Sequence, residues 1–165
     1  DGAAGEGEEE PEPVRLDVPV DAYLPASYIP FEAAKIDVHR RVAGARRPGD
    51  LRALRDELRD RFGPVPEPVE NLFAIQRARI ELGVAGARTA EVRGGRLSIT
   101  PLELDAAIVG RLRERIPEAM YELRHKTLSL RVPDEPPARL AAVLGLTEAL
   151  TASLAASDDE VAVGV

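Results

Sequence analysis

The sequence predicts an α+β fold: an N-terminal group of three helices, then a small antiparallel sheet with two further helices. Two observations predict it. Before Gly83, apolar residues recur at helical spacing in three runs. After it, they alternate on both sides of two turn signals, Gly94-Gly95 and Arg124 to Lys126. At 165 residues the chain suits one domain with a sizeable core.

Asp1 to Pro13 carries six acids, no base and no apolar side chain larger than alanine outside its prolines, so residues 1–13 read as a disordered acidic tail or linker. A single domain is expected over 14–156, with a flexible tail at 157–165. Val14, Leu16, Val18 and Val20 alternate with Arg15, Asp17 and Pro19, a strand-like pattern that proline confines to an edge or an extended arm. The first helix, about Phe31 to Ala45, sets Ala34, Val38 and Val42 in one stripe with Ile36 beside it, and stops near Pro48-Gly49.

The second helix takes Asp50 as its N-cap and Leu51, Leu54, Leu58 and Phe62 as its core stripe. Gly63 then permits a left-handed stop, Pro64 forbids continuation, and Pro66 and Pro68 stiffen the connection to the third helix. That third helix opens at Pro68 and buries Val69, Leu72, Phe73 and Ile80 before Gly83. Val92 and then Leu97 and Ile99 flank Gly94-Gly95 as a hairpin. Thr100-Pro101-Leu102-Glu103 matches a capping box, which starts a fourth helix there with Leu104, Ile108, Leu112 and Ile116 inward and Pro117 as its end. Tyr121 and Leu123, then Leu128, Leu130 and Val132, form a second hairpin, and a last helix runs from about Pro137 to Ala155.

The formal charge of -7 comes from the two ends; without Asp1 to Pro13 and the acids Asp158, Asp159 and Glu160 the body stands at about +2, which argues neither for nor against nucleic acid. With no cysteine, disulfides, thiol nucleophiles and thiolate metal sites are excluded. No apolar run approaches the ~20 residues of a membrane span, so no membrane partner is expected. No GxxxxGK[ST] loop is present, and the two histidines, His39 and His125, lie on different elements without HxxxH or HExxH spacing, so neither cofactor nor metal is expected. Arg40-Arg41 and Arg46-Arg47 have no interleaved aromatics, and direct DNA binding is not expected.

The charges of the second helix sort by face. Glu57, Asp60 and Arg61 share one flank; Arg52, Arg55 and Arg59 occupy the other. Intrahelical pairing of Glu57 with Arg61, the favourable i,i+4 order, is one reading. The other is a docking face, held rigid by the clamp of Phe62, Gly63, Pro64, Pro66 and Pro68, that meets a partner's arginines.

The run LRDELRDRFGPVPEPVENL, with DVPVDAYLPASYIP upstream and RRVAGAR at the end of the first helix, resembles the C-terminal domain of bacterial transcription-repair coupling factor (Mfd). The match is specific over about Leu16 to Gly83; His39 stands where relatives often show tyrosine. The resemblance implies a cytoplasmic, non-catalytic regulatory domain of an ATP-driven DNA translocase that acts on stalled RNA polymerase and recruits UvrA. It implies that the domain packs on the UvrB-like module of the same polypeptide, masks UvrA binding and restrains the motor, and that Glu57, Asp60 and Arg61 make that contact. The alternative is a DNA- or RNA-polymerase-contacting module working through the arginine flank.

Overall fold

The structure, a computed structural model, describes residues 11–18 and 20–163, the side chains of 159–163 excepted. The expectations for residues 1–10, Pro19 and 164–165 lie outside the described residues. The fold is α+β, in the order expected: α1 (Glu32–Gly44), α2 (Pro48–Phe62), α3 (Glu67–Val84), β1 (Thr89–Arg93), β2 (Arg96–Thr100), α4 (Ala106–Arg115), β3 (Met120–Glu122), β4 (Thr127–Arg131) and α5 (Pro136–Val163).

The helical stripes bury as their spacing dictates. Val38 and Val42 of α1, Leu51, Leu54 and Leu58 of α2, and Val69, Phe73 and Ile80 of α3 form one core with Leu24 and Ile29. Ile36 is exposed, and Ala34, Leu72 and Phe62 of the expected stripes are half-buried. A second core lies under the sheet, where alternation sends Leu97, Ile99, Leu128 and Leu130 to one face, against Ile108 and Leu112 of α4 and Val143, Leu146 and Leu150 of α5. The two cores share α3: Ala78 and Leu82 join the second while Phe73 and Ile80 join the first.

The sheet is antiparallel with order β1-β2-β4-β3, so the second strand of each hairpin lies at the centre. Gly94 and Gly95, at φ 60° and 75°, make the β1–β2 turn that requires positive φ at both positions. The face away from the helices is polar; one cross-strand row places Arg93 opposite Arg96 and Arg96 opposite Arg131.

The segment before α1 runs back along α3. Val14 N–H donates to Arg79 O (2.9 Å), Asn71 Nδ2 donates to Asp21 O (2.9 Å), and Tyr23 N–H donates to Pro68 O (3.2 Å). At the far end a Cβ on Gly83 would stand 2.3 Å from Glu12 O, so glycine is what lets the two backbones meet. Of the two forms expected over Val14 to Val20, an edge strand or an extended arm, the described residues take the arm, with one parallel bridge, Arg15 to Thr89, and with Val14 and Leu16 buried as the alternation implies.

The third and last helices start one residue earlier than expected, at Glu67 and Pro136, and four further differences from the sequence reading each have a local reason. First, α1 ends at Gly44, and Pro48, expected as a stop, is the first residue of α2. Second, Asp50 therefore sits in the first turn, and its carboxylate accepts the N–H groups of Arg46 and Arg47 at 3.2 Å each. Third, α4 starts at Ala106: Asp105 caps it by accepting Ile108 N–H (2.9 Å), and Thr100 belongs to β2 because its carbonyl accepts Arg88 N–H (2.9 Å). Fourth, α5 continues to Val163, past the expected end at Ala155. Its Pro136–Asp158 stretch, 23 residues, is long and apolar enough to cross a membrane by length and composition, contrary to the sequence reading. Here Leu140, Val143, Leu146 and Leu150 of that stretch are buried inside the fold.

Candidate functional site

The end of α2 is fixed by three local devices. Gly63, at φ 91°, leaves the helix in a conformation that side-chain-bearing residues rarely adopt, while its N–H still donates to Arg59 O (3.0 Å). Pro64 prevents extension, and α3 begins within a turn, with Pro66 at its cap and Pro68 in its first turn. Tyr28 adds the third device, which sequence reasoning missed: its hydroxyl donates to Gly63 O (3.0 Å) and lies 3.2 Å from Leu58 O. The Tyr28 ring meets that of Phe62 at 5.8 Å between centroids. Burial and the nearby Glu70 push the Tyr28 phenol up.

Asp21 and Tyr28 come from the DVPVDAYLPASYIP stretch, and Phe62, Gly63 and Asn71 from the LRDELRDRFGPVPEPVENL stretch. In space the two stretches meet, Tyr28 on Phe62 and Gly63, and Asn71 on the carbonyl of Asp21.

Of the three residues expected on the docking flank, Asp60 and Arg61 are exposed and Glu57 is half-buried. Glu57 and Arg61 come together, with Arg61 Nη1 3.5 Å from Glu57 Oε2 and the Arg61 guanidinium 4.9 Å above the Phe62 ring. Asp60 has no ion-pair partner among the described residues. The flank thus presents a free carboxylate beside a guanidinium that leans on an aromatic ring.

Glu57 has a stronger partner than Arg61. Arg41 of α1 holds it in a two-pronged pair, Nη1 to Oε2 at 2.7 Å and Nη2 to Oε1 at 3.0 Å. This bond, more than the neighbouring positive charges, holds the Glu57 carboxyl below the usual carboxylate range and raises Arg41. Intrahelical pairing alone does not describe Glu57, and the flank spans two helices. The sequence signal for Arg41 was its position next to Val42, one step round from the buried stripe.

The arginine flank is largely occupied. Arg55 Nε donates to Glu70 Oε1 of α3 at 2.7 Å, and Arg59 Nη2 donates to Asp56 Oδ1 at 2.7 Å. Arg52 is exposed beside a cleft of about 290 Å³ whose wall includes Leu51, Phe73 and Leu144. Of the three acids that line it, Glu70 pairs with Arg55 and Glu81 with Arg77, which leaves Glu148 without a second unpaired carboxylate beside it. His39 is exposed on α1, and His125 sits against Glu122 in the β3–β4 turn.

Comparison with known proteins adds sequence and fold relatives. The model of the TRCF domain family matches residues 18–106. Transcription-repair-coupling factors of Mycobacterium bovis and Mycobacterium tuberculosis are each 36% identical over 136 residues, 81% of this chain and 11% of theirs. That of Bacillus subtilis is 37% identical over 65 residues, 39% of this chain and 6% of its own. The crystal structure of a C-terminal domain of transcription-repair coupling factor shares the fold, with a TM-score of 0.72 at 21% identity over 88% of this chain and 96% of that one. The chain therefore spans no more than 11% of the length of these curated relatives.

Proposed function

Because the chain belongs to the TRCF domain family, we propose that it is a non-catalytic, autoinhibitory interaction domain of a cytoplasmic transcription-repair coupling factor. It docks on the UvrB-like module of the same polypeptide through the α2 flank that carries Glu57, Asp60 and Arg61. Docked, it masks the UvrA-binding surface and restrains the ATP-driven DNA translocase.

The observation that carries this reading is the clamp at the end of α2. The helix terminus is over-determined by Gly63, Pro64 and Tyr28, yet what it positions is the exposed pair Asp60 and Arg61. Fixed polar groups bind with less loss of side-chain freedom than mobile ones. A polar contact of this kind is weak in trans, but tethering at roughly millimolar effective concentration makes it sufficient and reversible. The opposite flank supports contact with nucleic acid less well, because Arg55 and Arg59 already have carboxylate partners within the fold.

The test uses a full-length coupling factor carrying this domain. Alanine at Glu57, Asp60 and Arg61 together leaves the fold intact and the melting temperature within a few degrees, since the Glu57–Arg41 pair is partly solvent-screened and Asp60 and Arg61 are exposed. It raises UvrA binding and basal ATP turnover together, because both report the same closed state. Arg52→Ala with Arg59→Ala is the control and changes neither; Arg55 is left intact because it ties α2 to α3. A folded triple variant with wild-type UvrA binding and ATP turnover places the lock elsewhere.

A further inference from the structure

We propose that Arg41 is an internal competitor for the docking carboxylate. In the undocked domain it occupies Glu57, and a partner's arginine engages Glu57 by displacing it. This rests on the docking reading above and adds a residue to it.

Three features of the geometry support displacement. Arg41 meets Glu57 prong to prong, at 2.7 and 3.0 Å, so both carboxylate oxygens already have a guanidinium donor. That is the bidentate arrangement an incoming arginine would itself adopt. Arg41 also has a second acceptor on its own helix: Asp37 Oδ2 lies 3.8 Å from Nη1, one turn back. Leaving Glu57 therefore does not leave Arg41 without a counter-charge. Finally, α1 is seated by Val38 and Val42 in the helical core, so a swing of the Arg41 side chain need not disturb its helix.

Docking on this account exchanges one guanidinium–carboxylate pair for another. The exchange contributes little net free energy, which keeps the contact reversible, and Asp60 and Arg61, with no two-pronged partner among the described residues, supply the further attraction. Arg41 thereby sets how far the closed state is favoured.

The test compares wild type, Arg41→Met and the Glu57, Asp60, Arg61 triple alanine variant in the full-length coupling factor. Arg41→Met keeps the aliphatic stem and frees Glu57, so it strengthens the lock. Apparent UvrA affinity then falls by roughly two- to fivefold, because it scales with the open fraction. The triple variant moves it in the opposite direction. Arg41→Lys, which keeps the charge and loses the fork, falls between wild type and Arg41→Met and serves if the methionine variant melts early. In a Glu57→Gln background the Arg41→Met effect disappears. If the triple variant opens the lock while Arg41→Met leaves UvrA affinity unchanged or raises it, Arg41 is a buttress and the inference fails with the docking reading intact. If the triple variant itself has no effect, the docking reading fails first.

Discussion

Tyr28, packed on the end of α2, and Leu58, within it, both hold that end in place, and their contributions separate by chemistry. Leu58 is fully buried, and Leu58→Ala removes packing that the helical core cannot refill; it should cost about 2–5 kcal/mol in denaturant unfolding. Tyr28→Phe keeps the ring against Phe62 and loses only the hydroxyl shared between Gly63 O and Leu58 O, so about 0.5–1.5 kcal/mol is expected. A Tyr28→Phe cost equal to that of Leu58→Ala would mean that the ring, and not the hydroxyl, had been displaced. At this scale the sequence was readable where a residue's role is set by its own helix. The Leu51, Leu54 and Leu58 stripe, the Gly63 stop and the exposure of Asp60 and Arg61 all derive from spacing and backbone preference. Arg41 on Glu57 and Tyr28 on Gly63 do not, because each joins residues on different elements, 16 and 35 positions apart, whose approach depends on helix crossing.

Elements add contacts that individual residues do not reveal. The N-terminal segment lies along α3 from Glu12 at Gly83 to Tyr23 at Pro68, and Gly83 is where they are closest. Gly83→Ala should therefore destabilise the chain, since its Cβ would press on a backbone carbonyl and not on a flexible side-chain tip. In a chain beginning at Val14 the same substitution should be neutral or gain up to about 1 kcal/mol of helix propensity, because Glu12 is gone. Equal effects in both chains would refute the close approach. The α1–α2 junction carries a pH dependence. The Glu57 carboxyl is held below its ordinary value by Arg41, so the pair is fully formed above the ordinary carboxylate range and is lost as pH falls through the depressed value. A carboxyl-carbon NMR titration should find Glu57 titrating low in the wild type and moving up in Arg41→Met; identical titrations would contradict the pairing. The misplaced start of α4 belongs to this scale too. Thr100-Pro101-Leu102-Glu103 has the composition of a capping box, but its backbone is engaged by neighbouring segments, Thr100 O by Arg88 and Leu102 N–H by Lys126, so tertiary hydrogen bonding overrides the local motif.

For the whole molecule, the change from helical spacing to alternation was enough to read an α+β fold with its elements in order. Strand order was not legible, because it depends on which hairpin strands face each other, and the antiparallel pairing of β2 with β4 places Leu97 beside Leu130 across 33 residues of chain. The continuation of α5 past Ala155 was also missed, since the acids Asp158 to Glu160 resemble a tail when read without their helix. Molecule-wide, the surface offers contrasting faces: the two-helix flank of Glu57, Asp60 and Arg61, the occupied arginine flank, and the polar sheet face with its row Arg93, Arg96, Arg131. Which face meets the rest of a coupling factor decides the account, and backbone amide NMR of this chain titrated with the UvrB-like module measures it directly. Shifts concentrated from Glu57 of α2 to its cap Gly63 and spreading to α1 around Arg41, abolished by the triple alanine variant, are expected. Shifts centred on the sheet row, or on Arg52 and Arg59 and unaffected by that variant, would contradict docking through the α2 flank.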